Sequence, residues 1–154
     1  MSRQRVGLLG LGAIGSELAR LVAADPNTSI DLVGAVVRDR GRRREAEVRT
    51  VSSLDELLAH EPNVVAEAAG HEALRLYGPA CLRASLPLVL LSAGALADPS
   101  FESELIEAAT AGGVTAVIAS GATAALDMIA AAAEGGLDTV VHDREAAESA
   151  RHRR

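Results

Sequence analysis

Residues 6–15 read Val6-Gly7-Leu8-Leu9-Gly10-Leu11-Gly12-Ala13-Ile14-Gly15, and the chain continues as Ser16-Glu17-Leu18-Ala19-Arg20-Leu21-Val22. An apolar strand enters a G-x-G-x-x-G turn, and the turn opens an amphipathic helix. That context carries more than the glycines do, because the glycine pattern alone is a weak signal. Each glycine has its own task. Gly10 permits the tight turn, Gly12 lets backbone approach a pyrophosphate, and Gly15 allows helix to pack closely on strand. Unpaired N–H groups and a partial positive charge at the helix start then face the phosphates. The stretch predicts a dinucleotide site.

Outward from this turn, short β-rich runs alternate with helical segments. Strands are predicted at residues 5–9, 30–37, 48–51, 63–69, 86–92 and 114–119. Helices are predicted at residues 13–24, 54–60, 72–84, 100–111 and 123–134. Asp25-Pro26-Asn27 stops the first helix, since proline disfavours helical backbone in the residue before it. Ser52 or Ser53 caps the second, and Gly112-Gly113 ends the helix at 100–111. The polar stretch 38–47 reads as a loop or short helix, and 137–141 resembles the opening of a further strand. Such alternation implies a Rossmann-type α/β fold, a doubly wound parallel sheet of about six strands with helices on both faces. Its ligand crevice lies at the strands' C-terminal ends. The domain is expected to occupy residues 1–141, followed by a charged tail at 142–154.

Composition narrows the partners. At 154 residues and 49% hydrophobic content the chain can bury one sizeable core. A net charge of −6 argues against a general nucleic-acid binder, which needs a basic face. Phe101 and Tyr77 are the only aromatics, too few for a base-stacking platform. No apolar run approaches the ~20 residues that span a bilayer. With no cleavable signal sequence ahead of the first strand, the expected location is cytoplasmic. All 15 basic residues are arginine, so lysine chemistry is excluded within the chain. Cys81 is the single cysteine, leaving no intrachain disulfide and no cysteine cluster for a metal.

The nucleotide's identity is read where the second strand ends, at Val37-Arg38-Asp39-Arg40. An acid there binds a ribose 2′-hydroxyl, whereas an arginine accommodates a 2′-phosphate. Arg38 and Arg40 would attract the extra phosphate of NADP and fork it bidentately, and Asp39 keeps NAD open. Arg42, Arg43 and Arg44 read as a solvated charge run.

Four segments together resemble the aspartate dehydrogenase family. They are Gly10-Leu11-Gly12-Ala13-Ile14-Gly15, Glu67-Ala68-Ala69-Gly70-His71-Glu72-Ala73, Leu91-Ser92-Ala93-Gly94-Ala95-Leu96-Ala97-Asp98, and a stretch from Ser120-Gly121-Ala122 through Leu126-Asp127 to Glu134-Gly135-Gly136-Leu137-Asp138. The resemblance covers about residues 5–140. It implies oxidation of L-aspartate, a small-molecule substrate, to iminoaspartate with NAD or NADP. The imine then hydrolyses or feeds nicotinamide-nucleotide synthesis. It carries cofactor contacts over to the glycine turn, with Leu11, Ala13 and Ile14 between the glycines, and to Ala122 after the sixth strand. Ala69, Gly70 and His71, ending the fourth strand, would line the nicotinamide side. Thr123, Ala124 and Ala125 depart from the isoleucine and two glycines more usual in the family. The family's catalytic histidine belongs to a C-terminal domain unmatched within this chain, so no catalytic residue is assigned here.

The remaining candidates have plainer roles. His71 is expected to line the crevice or cap the following helix rather than act as a base. His60 suits a helix C-terminus, and His142 and His152 belong to the tail. Cys81 reads as a small core hydrophobe, and Ser92 lacks the partners of a hydrolase serine. Glu67, in a buried strand, requires a partner or an exposed sheet face. Two other functions stay open: a nucleotide-sensing regulatory module, similar to the NAD-binding domains of potassium transport systems, and a remnant that binds cofactor without catalysis. A homodimer is also left open.

Overall fold

A computed structural model describes residues 3–39 and 48–119, all within the compact unit formed by residues 1–119. The expected helix at 123–134, the strand opening at 137–141, the tail and Arg40 through Arg44 lie outside the described residues, as does Ala122. In chain order the elements are β1 (Gln4–Leu9), α1 (Ala13–Ala24), β2 (Ile30–Val36), β3 (Thr50–Val51), α2 (Leu54–Leu58), β4 (Val64–Glu67), α3 (His71–Arg83), β5 (Leu88–Leu90), a 3₁₀ turn (Ala93–Ala97), α4 (Pro99–Gly112) and β6 (Ala116–Ile118). The six strands form one sheet in the order β3-β2-β1-β4-β5-β6, and every pairing is parallel. This is the Rossmann-type sheet expected, with strand order reversing beside β1.

Alternation along the strands sorts side chains between two cores. Val6 and Leu8 of β1 join Leu11, Ala19, Ala35 and Val37 beneath α1. Leu9, Val36, Val65, Leu88 and Leu90 face the other way, into a larger core filled by α2, α3 and α4. There Leu57 lies across two strands at once. A Cβ on Gly7 would come 2.9 Å from its Cδ2, and a Cβ on Gly34 would come 3.2 Å from its Cδ1. The paired glycines form the seat for this leucine, beside a register shift where Val6 pairs Leu32 but Gly7 pairs Gly34.

Helix ends follow local chemistry. Ser53 caps α2, its side chain accepting from the Glu56 N–H, and Asp98 caps α4 by accepting from the Ser100 N–H. Gly113 closes α4 in the left-handed region at φ 66°. Cys81 is buried on α3, where burial pushes its thiol up to about 11. Among the described residues no helix is long and apolar enough to cross a membrane.

Candidate nucleotide-binding site

Register sets the site. Leu9 pairs with Val36 on one side and with Glu67 on the other, and Glu67 pairs with Leu90. Four strands therefore end at one level, and the residues after them leave the sheet together. Main-chain bonds tie these exits across the sheet: Gly10 N–H donates to the Val36 carbonyl at 2.9 Å, and Ala68 N–H to that of Leu9 at 2.9 Å. The expected strands at 63–69 and 86–92 shorten to Val64–Glu67 and Leu88–Leu90: Ala68 and Ala69 turn out to wall the crevice, and Leu91 and Ser92 lead into the 3₁₀ turn.

Within the first turn, the structure separates the glycines by what demands them. Gly10 has φ +92°, and a Cβ there would sit 2.6 Å from the Ala69 Cβ. A Cβ on Gly15 would meet the Gly10 carbonyl oxygen at 2.5 Å, so this helix could not approach the turn. Both are fixed by the fold itself. Gly12 differs: its backbone is extended, at φ −83° and ψ −156°, and a Cβ would meet nothing within 4 Å. Among the described residues no atom requires glycine there. The bare space before Gly12 suits a group that must approach the main chain closely, as a pyrophosphate does at a helix start.

A cavity of about 310 Å³ opens at this level, lined by Leu9 through Gly12, Val36 through Asp39, Ala68, Ala69, Ala73 and Tyr77. It brings together Gly10, Leu11, Gly12, Arg38, Asp39 and Ala69 from the sequence-predicted set. Ala13, Ile14 and Gly15 form the adjoining first turn of α1, with Ile14 exposed. Gly70, at φ +100°, and His71 form the turn into α3 rather than the cavity lining. A Cβ on Gly94 would come 2.9 Å from the His71 ring, which places that ring against the 3₁₀ turn.

Arg38 extends from the end of β2 across the cavity mouth, its Nη1 3.7 Å from Glu72 Oε2 on the first turn of α3. Both side chains are 90% exposed, so water screens this pair and the guanidinium is readily redirected. Glu72 as its neighbour was not anticipated. The two residues lie far apart in sequence, and only the sheet order brings them close.

Glu67 sits at the base of the crevice with no exposed surface. Its Oε1 accepts from Ala69 N–H at 2.7 Å, from Gly70 N–H at 2.8 Å and from the Ser92 hydroxyl at 2.9 Å. Its Oε2 accepts from Ser92 N–H at 3.0 Å. The partner required for this buried acid is thus a ring of backbone amides and one hydroxyl. Ser92 spends its proton on Glu67.

The Asp98 that ends the Leu91–Asp98 segment is structural. The Ser100 hydroxyl, followed by Arg75, holds its carboxyl down to about 2. Arg75 bonds it at 3.0 Å and lies over the Phe101 ring at 4.7 Å. Among the described residues no group of three or more His, Cys, Asp or Glu is placed to hold a metal ion.

The parallel sheet, the uncapped glycine turn at its switch point and the adjoining crevice define a dinucleotide-binding domain of dehydrogenase type. The chain belongs to the family of homoserine dehydrogenase NAD-binding domains, whose model matches residues 10–119. Among curated proteins it is similar to L-aspartate dehydrogenase 1 of Bordetella pertussis, at 41% identity over 138 residues, covering 90% of this chain and 53% of that protein. It is also similar to the L-aspartate dehydrogenase of Cupriavidus necator, at 34% identity over 143 residues, covering 89% of this chain and 53% of that protein. The chain spans about half the length of these relatives. The crystal structure of aspartate dehydrogenase from Thermotoga maritima shares the fold, with a TM-score of 0.67 and 20% identity over 89% of this chain and 60% of that one.

Proposed function

We propose that this chain is the nucleotide-binding half of an L-aspartate dehydrogenase. The observation that carries the reading is Gly12, a glycine that neither its backbone angles nor any neighbour among the described residues requires. Its presence makes sense where a diphosphate approaches the main chain. The L-aspartate dehydrogenases similar to this chain supply the substrate class.

In this reading the pyrophosphate rests on the turn from Gly10 to Gly15 and the start of α1. Arg38 and Asp39 meet the adenosine ribose at the end of β2. Ala69, Gly70 and His71 border the nicotinamide. NAD or NADP held there would supply the hydride acceptor for oxidation of the amino acid to its imine. This chain's part is to bind, orient and exclude water. No described residue is given the role of general base.

Supplying the purified chain with L-aspartate and NAD or NADP at alkaline pH, and following reduced nicotinamide, tests the activity. Turnover supports the dehydrogenase. Nucleotide binding measured by calorimetry without turnover favours the second reading, a domain that binds cofactor and catalyses nothing. No binding of either nucleotide ends both readings. Replacing Arg38→Ala should weaken NADP by about tenfold, the scale of one lost charge-assisted hydrogen bond, while leaving NAD nearly unchanged. Equal loss for the two nucleotides overturns the placement of Arg38.

A further inference from the structure

The acid at the base of the crevice has no assigned part in binding or chemistry. Glu67 is fully buried, no cation pairs with it among the described residues, and its side-chain partners belong to two loops. One loop follows β4 and contributes the Ala69 and Gly70 amides. The other follows β5 and contributes both the amide and the hydroxyl of Ser92. The carboxylate is thus the joint between them. It is also anchored in the ladder, since the Leu91 N–H donates to the Glu67 carbonyl at 3.2 Å.

Only a carboxylate fits this ring of donors. All four recorded partners present N–H or O–H, and an ionised carboxylate accepts at both oxygens. A glutamine would turn its NH₂ either toward the Ser92 amide or toward those of Ala69 and Gly70, setting donor against donor. A buried charge with four short bonds holds its partners more tightly than neutral contacts would. Gly70 at φ +100° gives the first loop little stiffness of its own, so its shape depends on the joint.

We propose that Glu67 is a positioning residue for the nicotinamide end of the dinucleotide, clasping the loops after β4 and β5 in the shape that receives it. The inference rests on the nucleotide-binding reading above. In a doubly wound sheet the glycine turn holds the diphosphate, whereas the loops clasped by Glu67 lie on the opposite side of the switch point. Loosening the clasp should therefore weaken recognition of the nicotinamide half and spare the adenosine-diphosphate half.

The test uses the full chain and two probes, NADH and ADP-ribose, which lacks the nicotinamide. Glu67→Gln should weaken NADH by about tenfold, as expected when a charged hydrogen-bond partner is lost, and ADP-ribose by no more than about twofold. Thermal unfolding of the same variant reads its structural cost separately. Should Glu67→Gln fail to fold, Ser92→Ala removes one of the four bonds and retains the rest. It should weaken NADH about threefold, with ADP-ribose unchanged. Equal loss for both probes, or loss for neither, overturns the clasp and leaves the nucleotide-binding reading standing. Failure of the unaltered chain to bind either probe overturns the nucleotide-binding reading and the clasp with it.

Discussion

Helices α1 and α3 begin differently from α2 and α4. The first pair flanks the switch point of the sheet, and each starts behind a glycine, Gly12 or Gly70, that supplies no side-chain cap. The second pair lies to either side, and each starts behind a side chain that satisfies a first-turn N–H: Ser53 at α2 and Asp98 at α4. A helix start left without an internal acceptor costs stability unless water or a ligand supplies one. The protein closes off its peripheral helix starts with side chains of their own caps, gives the Gly70 N–H before α3 to the buried Glu67 carboxylate, and leaves the start of α1 without a side-chain cap. This is the division expected if α1 faces an anion from outside the chain.

The largest effect that would break this comparison is at Gly12. Gly12→Val should leave the unfolding midpoint nearly unchanged, because its backbone angles suit any residue and its Cβ direction is open. Nucleotide affinity should fall about a hundredfold, the scale of a steric overlap near 3 kcal/mol. Calorimetry beside thermal unfolding reads both quantities. Should stability fall with affinity, the special standing of Gly12 is lost.

Gly15→Ala should do the opposite, costing about 2–3 kcal/mol in urea unfolding, because the new methyl would meet the Gly10 carbonyl. Weaker again, Ser53→Ala should cost about 1 kcal/mol of stability, the usual value of a lost N-cap, with nucleotide affinity unaltered. A binding loss there would mean that peripheral and central helix starts are not independent.

The smallest effect concerns Asp98, whose carboxyl lies at about 2 in the folded chain and near 3.9 when unfolded. A group depressed on folding contributes stability above its unfolded value and loses it as pH falls through the folded one. The stability gap between the protein and Asp98→Asn should hold constant above about pH 4 and close as pH falls toward 2. Acid titrations of the two proteins compare these gaps directly.

Much of this was legible from sequence where the signal is local. The first helix is expected at 13–24 and observed at Ala13–Ala24, because glycine turn, apolar periodicity and Asp25-Pro26 mark both ends. The doubly wound parallel sheet followed from the alternation of strands and helices, while the order of its strands emerges only in the structure. What escaped depends on contacts between distant segments. The partners of Glu67 are mostly main-chain amides, and amides carry no residue-type signal. The 3₁₀ turn at Ala93–Ala97 has neither helical nor strand periodicity, since Ala-Gly-Ala-Leu-Ala holds one large side chain. Leu57 reads as one more apolar residue of α2 until Gly7 and Gly34 are seen opposite it. The crevice residues Gly10, Arg38, Asp39 and Ala69 were nameable because each sits at a strand's end, and strand ends could be counted.

Cys81 has a practical consequence. It is the chain's single thiol, wholly enclosed between α3 and the sheet and held protonated by its surroundings. An alkylating reagent can modify it only during excursions in which that helix lifts away. The native chain thus contains its own stopwatch for opening, readable by mass spectrometry with no added label. Any ligand that slows the ticking has bound the closed form.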